Sequence, residues 1–375
     1  MEFIDLKKQY STYKEEIDEA IFQVVGKADY ILGNEVEIFE KNIAEFVGRK
    51  YAVACSDGTA ALQLIYMAYN IGSNDAIFCP DMTFIASVEP ACLMGATPIF
   101  CDIDKTSYNL DVVSLEKQIK KVLEEGKLRP KAIVAVDFVG NPIDYDEIKM
   151  VADRYKLLLI EDAAQGIGAS YRGRKCGSFG DVSATSFFPS KPLGCYGDGG
   201  AVFTDDEETY KLLKSLRVHG KGKTKYDNIQ IGINSRLDTI QAAVLDVKLK
   251  YLENEIVQRQ KVAEKYNDCL KNYVIIPFIQ KTSISSYAQY VIILESKKQR
   301  DELMEYLKEK NIPTIQYYPN PLHKLPVFSM IENYGEMFKN ASWYGECSLG
   351  LPFSAFLDEK DQDYIINSII EKVGK

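Results

Sequence analysis

The stretch Leu157-Leu158-Leu159-Ile160-Glu161-Asp162-Ala163-Ala164-Gln165 decides the fold. Four consecutive aliphatic residues have the length of a strand and fall far short of the ~18 needed to span a membrane. A strand that is apolar on both faces belongs inside a parallel sheet covered on two sides. Asp162 then stands at the carboxyl end of that strand, where open α/β sheets bind their ligands. A carboxylate in that place serves as a metal ligand, a general base, a partner for a cationic ring nitrogen, or simply a helix cap.

Outward from this strand the same alternation recurs. Apolar residues at helical spacing mark helices from Ser11 to Gly26 and from Asn34 to Val47, the second ending before Gly48. Tyr51–Cys55 reads as a strand, Ser56-Asp57-Gly58-Thr59 as a turn, and the residues around Leu62, Leu64, Ile65 and Met67 as a helix. A strand, a glycine turn and a helix expose N–H groups that suit a phosphate. Further strands are expected at Asp75–Cys79, Thr97–Cys101, Lys131–Val136, Ala184–Phe188 and Ala201–Thr204. Helices are expected at Ala86–Met94, Leu115–Glu125 and Tyr145–Arg154. Strands alternating with helices imply an α/β fold with a mainly parallel sheet.

Beyond Asp238 the pattern changes. One long helix is expected from Asp238 to Asn272, then a strand at Tyr290–Leu294, a helix at Gln299–Lys310, a proline-punctuated loop from Pro313 to Pro326 and a last helix at Lys360–Glu371. The expected division is a large α/β domain over residues 1–250 and a small α+β domain over 251–375, which suits a chain of 375 residues.

Composition narrows the function. With 46% hydrophobic and 26% charged residues the chain has material for a core. Its net charge of −9 opposes a polyanionic partner, so nucleic acid is not expected. Met1-Glu2-Phe3-Ile4-Asp5 lacks the basic and apolar regions of a signal peptide, and a cytoplasmic protein with no membrane attachment is expected. The 8 cysteines form no C-x-x-C pair and there are only 2 histidines, so no metal site is expected. The G-x-G-x-x-G fingerprint is absent, and Gly220-Lys221-Gly222-Lys223-Thr224 does not have Walker A spacing.

A second stretch carries the chemistry. In Ala184-Thr185-Ser186-Phe187-Phe188-Pro189-Ser190-Lys191, a lysine follows a strand and precedes the glycine-rich run Gly197-Asp198-Gly199-Gly200. Taken alone, Lys191 could be a surface residue. Beside Phe187, Phe188 and Leu193 it could instead be desolvated, which lowers its pKa and makes the amine a nucleophile. Asp162, Lys191, nearby hydroxyls and the Gly58-Thr59 turn together supply a pyridinium partner, a Schiff-base lysine and a phosphate cradle. Those are the requirements of pyridoxal 5'-phosphate.

The chain resembles the DegT/DnrJ/EryC1/StrS family of nucleotide-sugar aminotransferases. The resemblance rests on Ser56–Leu62, Glu161–Gln165, Ser186–Lys191, Gly197–Ala201, Gly232–Ala243, Gln289–Ile292 and Tyr318–His323, in the family's order along nearly the whole chain. It implies a fold of the aspartate-aminotransferase type (fold type I). It further implies that Lys191 carries the cofactor and shuttles the proton, that Asp162 pairs with the ring nitrogen, and that Gln165 bonds the phenolic oxygen. Phe84, which by itself would read as core packing, would stack on the ring. Gly58, Thr59 and Ser186 would hold the phosphate, and Asn234 would reach the phosphate of a second subunit, making the active site one shared within a homodimer. The implied reaction moves an amino group from L-glutamate to a keto group of a dTDP- or UDP-linked sugar, for amino sugars of surface glycans such as lipopolysaccharide or S-layer polymers.

The run Leu193–Gly200 resembles the branch acting at C3 of the sugar, with C4 as the alternative. Within that branch Tyr317-Tyr318-Pro319 stands where the uronate enzyme resembles His-Tyr-Pro, which argues against a carboxylated sugar. Arg236 would meet a sugar carboxylate or diphosphate, or else pair with an acid such as Asp238. His219, Tyr317, Tyr318 and His323 complete the expected substrate-binding residues. A family dehydratase would carry histidine at position 191, and a non-catalytic sensor or scaffold would not be expected to keep Lys191, Asp162, Gln165 and Ser186 together.

Overall fold

A computed structural model describes residues 1–224, 226–331 and 337–374. Its centre is a seven-stranded sheet in the order Tyr51–Cys55, Gly200–Thr204, Val182–Ser186, Leu158–Asp162, Arg129–Val136, Asp75–Pro80, Thr97–Cys101. The pairings from Val182–Ser186 through to Thr97–Cys101 are parallel. Gly200–Thr204 alone runs against both of its neighbours. Ile133, Ala135 and Leu159 face one packed layer while Ala132, Val134 and Ile160 face the other, so both sides of the sheet are covered.

Local sequence sets the helix ends. Asn34–Val47 buries Val36, Phe39 and Ile43 and stops at Gly48, which takes the left-handed conformation (φ 83°) that a side chain would resist. The helix Gly58–Ala68 is capped by Asp57, whose carboxylate accepts from the Ala60 N–H at 2.8 Å. Where a single helix is expected from Asp238 to Asn272, the structure has two, Thr239–Leu249 and Leu252–Leu270. No glycine or proline marks the break. It arises because the two halves answer to different cores: Ala242 and Leu245 pack beneath the sheet, whereas Ala263, Tyr266 and Leu270 pack into a separate C-terminal cluster.

That cluster closes around the antiparallel pair Tyr290–Ile293 and Ser348–Leu351, with the helices Lys297–Glu309 and Glu359–Val373. The second strand and the preceding helix Lys339–Cys347 were not expected from sequence, because Ser348-Leu349-Gly350-Leu351 has a glycine in its middle and little β-branching. The expected helix Ala86–Met94 is a single 3-10 turn, Ile85–Ser87, followed by a short helix, Glu89–Leu93, with Pro90 in its first turn. Among the described residues no helix is long and apolar enough to cross a membrane.

The parallel strands all present their carboxyl ends on one edge of the sheet. There Cys55 leads to Asp57–Thr59, Pro80 to Thr83 and Phe84, Val136 to the turn at Phe138–Gly140, and Ser186 to Lys191. Asp162 is itself the last residue of its strand.

Candidate active site

These strand ends and the segment around Tyr317 and Tyr318 enclose a cavity of about 370 Å³. Of the residues expected from sequence, Gly58, Thr59, Phe84, Asp162, Gln165, Ser186, Lys191, Tyr317 and Tyr318 all line it. They come from five separate parts of the chain.

Lys191 keeps part of its surface in the cavity but is otherwise enclosed by protein. Its Nζ makes no hydrogen bond or ion pair with the described residues. Desolvation pushes its ammonium below the ordinary lysine range, and the negative charge of Asp162 offsets only part of this. Asp162 is 5% exposed, and burial raises its carboxyl. Three features act against that rise: the Ser87 hydroxyl donates to Oδ2 at 2.8 Å, the Ala164 N–H donates to Oδ1 at 3.1 Å, and Lys191 brings its charge.

Gln165 is oriented by the backbone. The Val139 N–H donates to its Oε1 at 2.6 Å, which leaves Nε2 as the end offered to the cavity, 3.3 Å from the Tyr318 hydroxyl. Val139 takes a left-handed conformation (φ 51°), uncommon for a β-branched residue, and it does so in the turn that aims this N–H. Phe84 is 54% exposed and lines the cavity, its ring centroid 5.8 Å from that of Tyr318.

The residues fit a phosphate and a planar cationic ring. At the start of the helix Gly58–Ala68 the N–H groups of Ala60 and Ala61 are taken by Asp57. Those of Gly58 and Thr59 have no acceptor among the described residues, and they stand at the positive end of the helix beside the Ser186 hydroxyl. Gly58 has no room for a side chain: a Cβ there would lie 2.7 Å from the Ser186 Cβ. Gly200 backs the same turn, where a Cβ would meet the Asp57 carbonyl oxygen at 2.4 Å. A half-exposed aromatic face, a buried carboxylate and an unpaired amine complete a site suited to pyridoxal phosphate.

Four expected residues lie outside this lining. Asn234 and His219 are exposed, and Arg236 is half-buried, on the stretch that follows the helix Glu207–Leu216. Val218 and Asn234 form an isolated antiparallel bridge there. His323 is held away from the cavity: its Nδ1 lies 2.5 Å from Oδ2 of the fully buried Asp81, its N–H donates to Asp81 Oδ1 at 2.9 Å, and its ring stacks on Phe338 at 4.5 Å. His323 thus meets both oxygens of the buried Asp81, one through its backbone N–H and the other through its ring Nδ1.

Sequence reasoning gave no role to Thr83 and Ser87, which also line the cavity. The signal available was weak: two hydroxyls four residues apart just past a strand end. Gln289 also lines it, 6% exposed and with its Oε1 unpartnered.

The model of the DegT/DnrJ/EryC1/StrS aminotransferase family matches residues 11–370. The chain is 45% identical over 327 residues to the UDP-2-acetamido-2-deoxy-3-oxo-D-glucuronate aminotransferase of Pseudomonas aeruginosa, covering 87% of this chain and 88% of that protein. It is 36% identical to the dTDP-3-amino-3,6-dideoxy-alpha-D-galactopyranose transaminase of Aneurinibacillus thermoaerophilus, covering 98% of each. Among solved structures, a DegT DnrJ EryC1 StrS aminotransferase from Brucella abortus superimposes with a TM-score of 0.98, at 45% identity and over 100% of both chains.

Proposed function

The chain belongs to the DegT/DnrJ/EryC1/StrS aminotransferase family, and from that premise we propose that it carries an amino group from L-glutamate to the C3 keto group of a nucleotide-linked sugar. It is a pyridoxal-phosphate-dependent transaminase. The names of its relatives support the sugar substrate and the position: both curated relatives described above are named for a sugar bearing its oxo or amino group at C3. The observation that carries the reading is the meeting of Asp162 and Lys191 in one cavity with two free N–H groups at a helix start.

In this reading the bound cofactor supplies an electron sink for the carbon that loses its proton. The chain does the rest. The N–H groups of Gly58 and Thr59 and the Ser186 hydroxyl hold the phosphate. Phe84 covers one ring face, and Gln165 Nε2 donates to the phenolic oxygen. Asp162 holds a proton at the ring nitrogen. Lys191 Nζ takes the proton from the amino-acid α-carbon and returns it on the other side of the exchange. Burial suits it to this work, because desolvation disfavours the charged ammonium and so makes the amine easier to free of its proton.

We further propose that Asn234, His219 and Arg236, which lie outside the cavity of their own chain, complete the cavity of a second copy in a homodimer. The division at residue 250 into cofactor and small domains, and a cytoplasmic location, belong to the same proposal.

The test is a panel of UDP- and dTDP-linked 3-keto and 4-keto sugars, each supplied with L-glutamate, with the product identified by mass and NMR. Amination at C3 is expected. Amination only at C4 would overturn the position, and no aminated product from any member would overturn the substrate class.

A further inference from the structure

Asp162 is not held by backbone alone. Behind it lies a chain of hydroxyls on the turn that follows the strand Asp75–Pro80. Ser87 Oγ lies 2.8 Å from Asp162 Oδ2, and Thr83 Oγ1 lies 2.9 Å from Ser87 Oγ. A carboxylate can only accept, so the single Ser87 proton points at Asp162. Thr83 must then be the donor to Ser87. The direction of the chain is thereby determined: Thr83 to Ser87 to Asp162. Both hydroxyl residues are buried, Ser87 at 1% and Thr83 at 4% exposure, and both border the cavity. The turn itself is tied down from outside, since the Tyr66 hydroxyl donates to the Ser87 carbonyl at 2.5 Å.

We propose that Ser87, oriented by Thr83, is a positioning residue that keeps Asp162 ionised and aimed at the ring nitrogen of the cofactor. This rests on the reading of Asp162 as the partner of that nitrogen. The physical reason is that Asp162 sits where burial favours the neutral acid. A hydrogen bond to the charged form counters this, and bonds of that kind are the stronger ones in a dry site. Without it, the proton shared between ring nitrogen and carboxylate moves from the nitrogen to Asp162. The ring then loses positive charge, and the nitrogen linking it to Lys191 holds its own proton to a higher pH.

The experiment follows the visible absorbance of the protein loaded with pyridoxal phosphate as pH is varied, together with the dissociation constant of the cofactor. For Ser87→Ala the absorbance transition moves to higher pH by roughly one unit, the scale set by one hydrogen bond to a charged group, and the cofactor binds about tenfold more weakly. Ser87→Thr, which keeps a hydroxyl, restores the wild-type transition. Thr83→Val, which leaves Ser87 in place, shifts it in the same direction by less. A Ser87→Ala curve that superimposes on wild type overturns the proposal. If that variant does not fold, Thr83→Val decides alone: a shift supports the proposal and superposition overturns it. A wild-type protein that gains no visible band with the cofactor overturns the underlying reading of the site instead.

Discussion

Burial decides what Lys191 can do. A surface lysine holds its proton tightly, whereas this one is enclosed in the cavity with no hydrogen-bonding partner among the described residues, and desolvation pushes its ammonium below the ordinary lysine range. Lys191→Ala is expected to fold and to bind pyridoxal phosphate non-covalently, with turnover reduced by roughly 10³-fold or more. Circular dichroism with a coupled glutamate assay checks both parts, and near-normal turnover would remove Lys191 from the mechanism. Lys191, Asp162 and Gln165 were legible because each lies in a short run whose order is itself informative. Ser87 was not: its bond to Asp162 spans 75 positions, and a lone serine after a strand end says nothing of that partner. His323 was legible as a notable residue, but the structure gives it to Asp81 rather than to the cavity.

The helix Gly58–Ala68 is an element with two separable duties. Asp57 stabilises its start, while Gly58 and Thr59, whose N–H groups have no acceptor among the described residues, line the cavity. Asp57→Ala is expected to cost about 1 kcal/mol of stability, read from a denaturant midpoint. Gly58→Ala is expected to act on the cofactor instead. A Cβ 2.7 Å from that of Ser186 must push the two strand ends apart, so the cofactor dissociation constant should rise at least about tenfold while the unliganded fold persists. Equal cofactor affinity in that variant would show that the turn does not hold the phosphate. The turn and the helix were readable from sequence, since a strand, a glycine and an apolar periodicity are local signals. The break between Thr239–Leu249 and Leu252–Leu270 was not, because it answers to two cores that meet only in three dimensions.

Two predictions belong to the molecule as a whole. Lys248 lies buried between the helix Thr239–Leu249 and the loop that carries Lys191, and its Nζ donates to the Gly194 carbonyl. Burial pushes its pKa down to about 8. The unfolded chain keeps that proton up to the ordinary lysine value, so between pH 8 and 10.5 the unfolded state binds more protons. The contribution of Lys248 to stability therefore rises with pH across that window and is flat below it. Relative to Lys248→Met, the wild type should gain up to about 1.4 kcal/mol per pH unit in urea midpoints taken there. A difference that stays constant from pH 7 to 10 would contradict this. The second prediction tests the proposal that the site is shared between two copies. Asn234→Ala and Lys191→Ala chains, each nearly inactive alone, should recover roughly a quarter of wild-type activity when co-expressed, because one site of each mixed dimer receives both residues. No recovery would mean that Asn234 serves its own chain or that the chains do not pair. By itself the sequence determined the α/β alternation, the cofactor and which residues to expect at the carboxyl ends of the strands, because strand period, turn chemistry and motif order are written in neighbouring positions. Only the tertiary structure decided that Gln165 presents its amide Nε2, that Ser87 stands behind Asp162, and that His323 belongs to Asp81. Those outcomes depend on which buried polar groups meet across the fold, and a buried donor or acceptor takes the partner that packing brings to it, however far away along the chain.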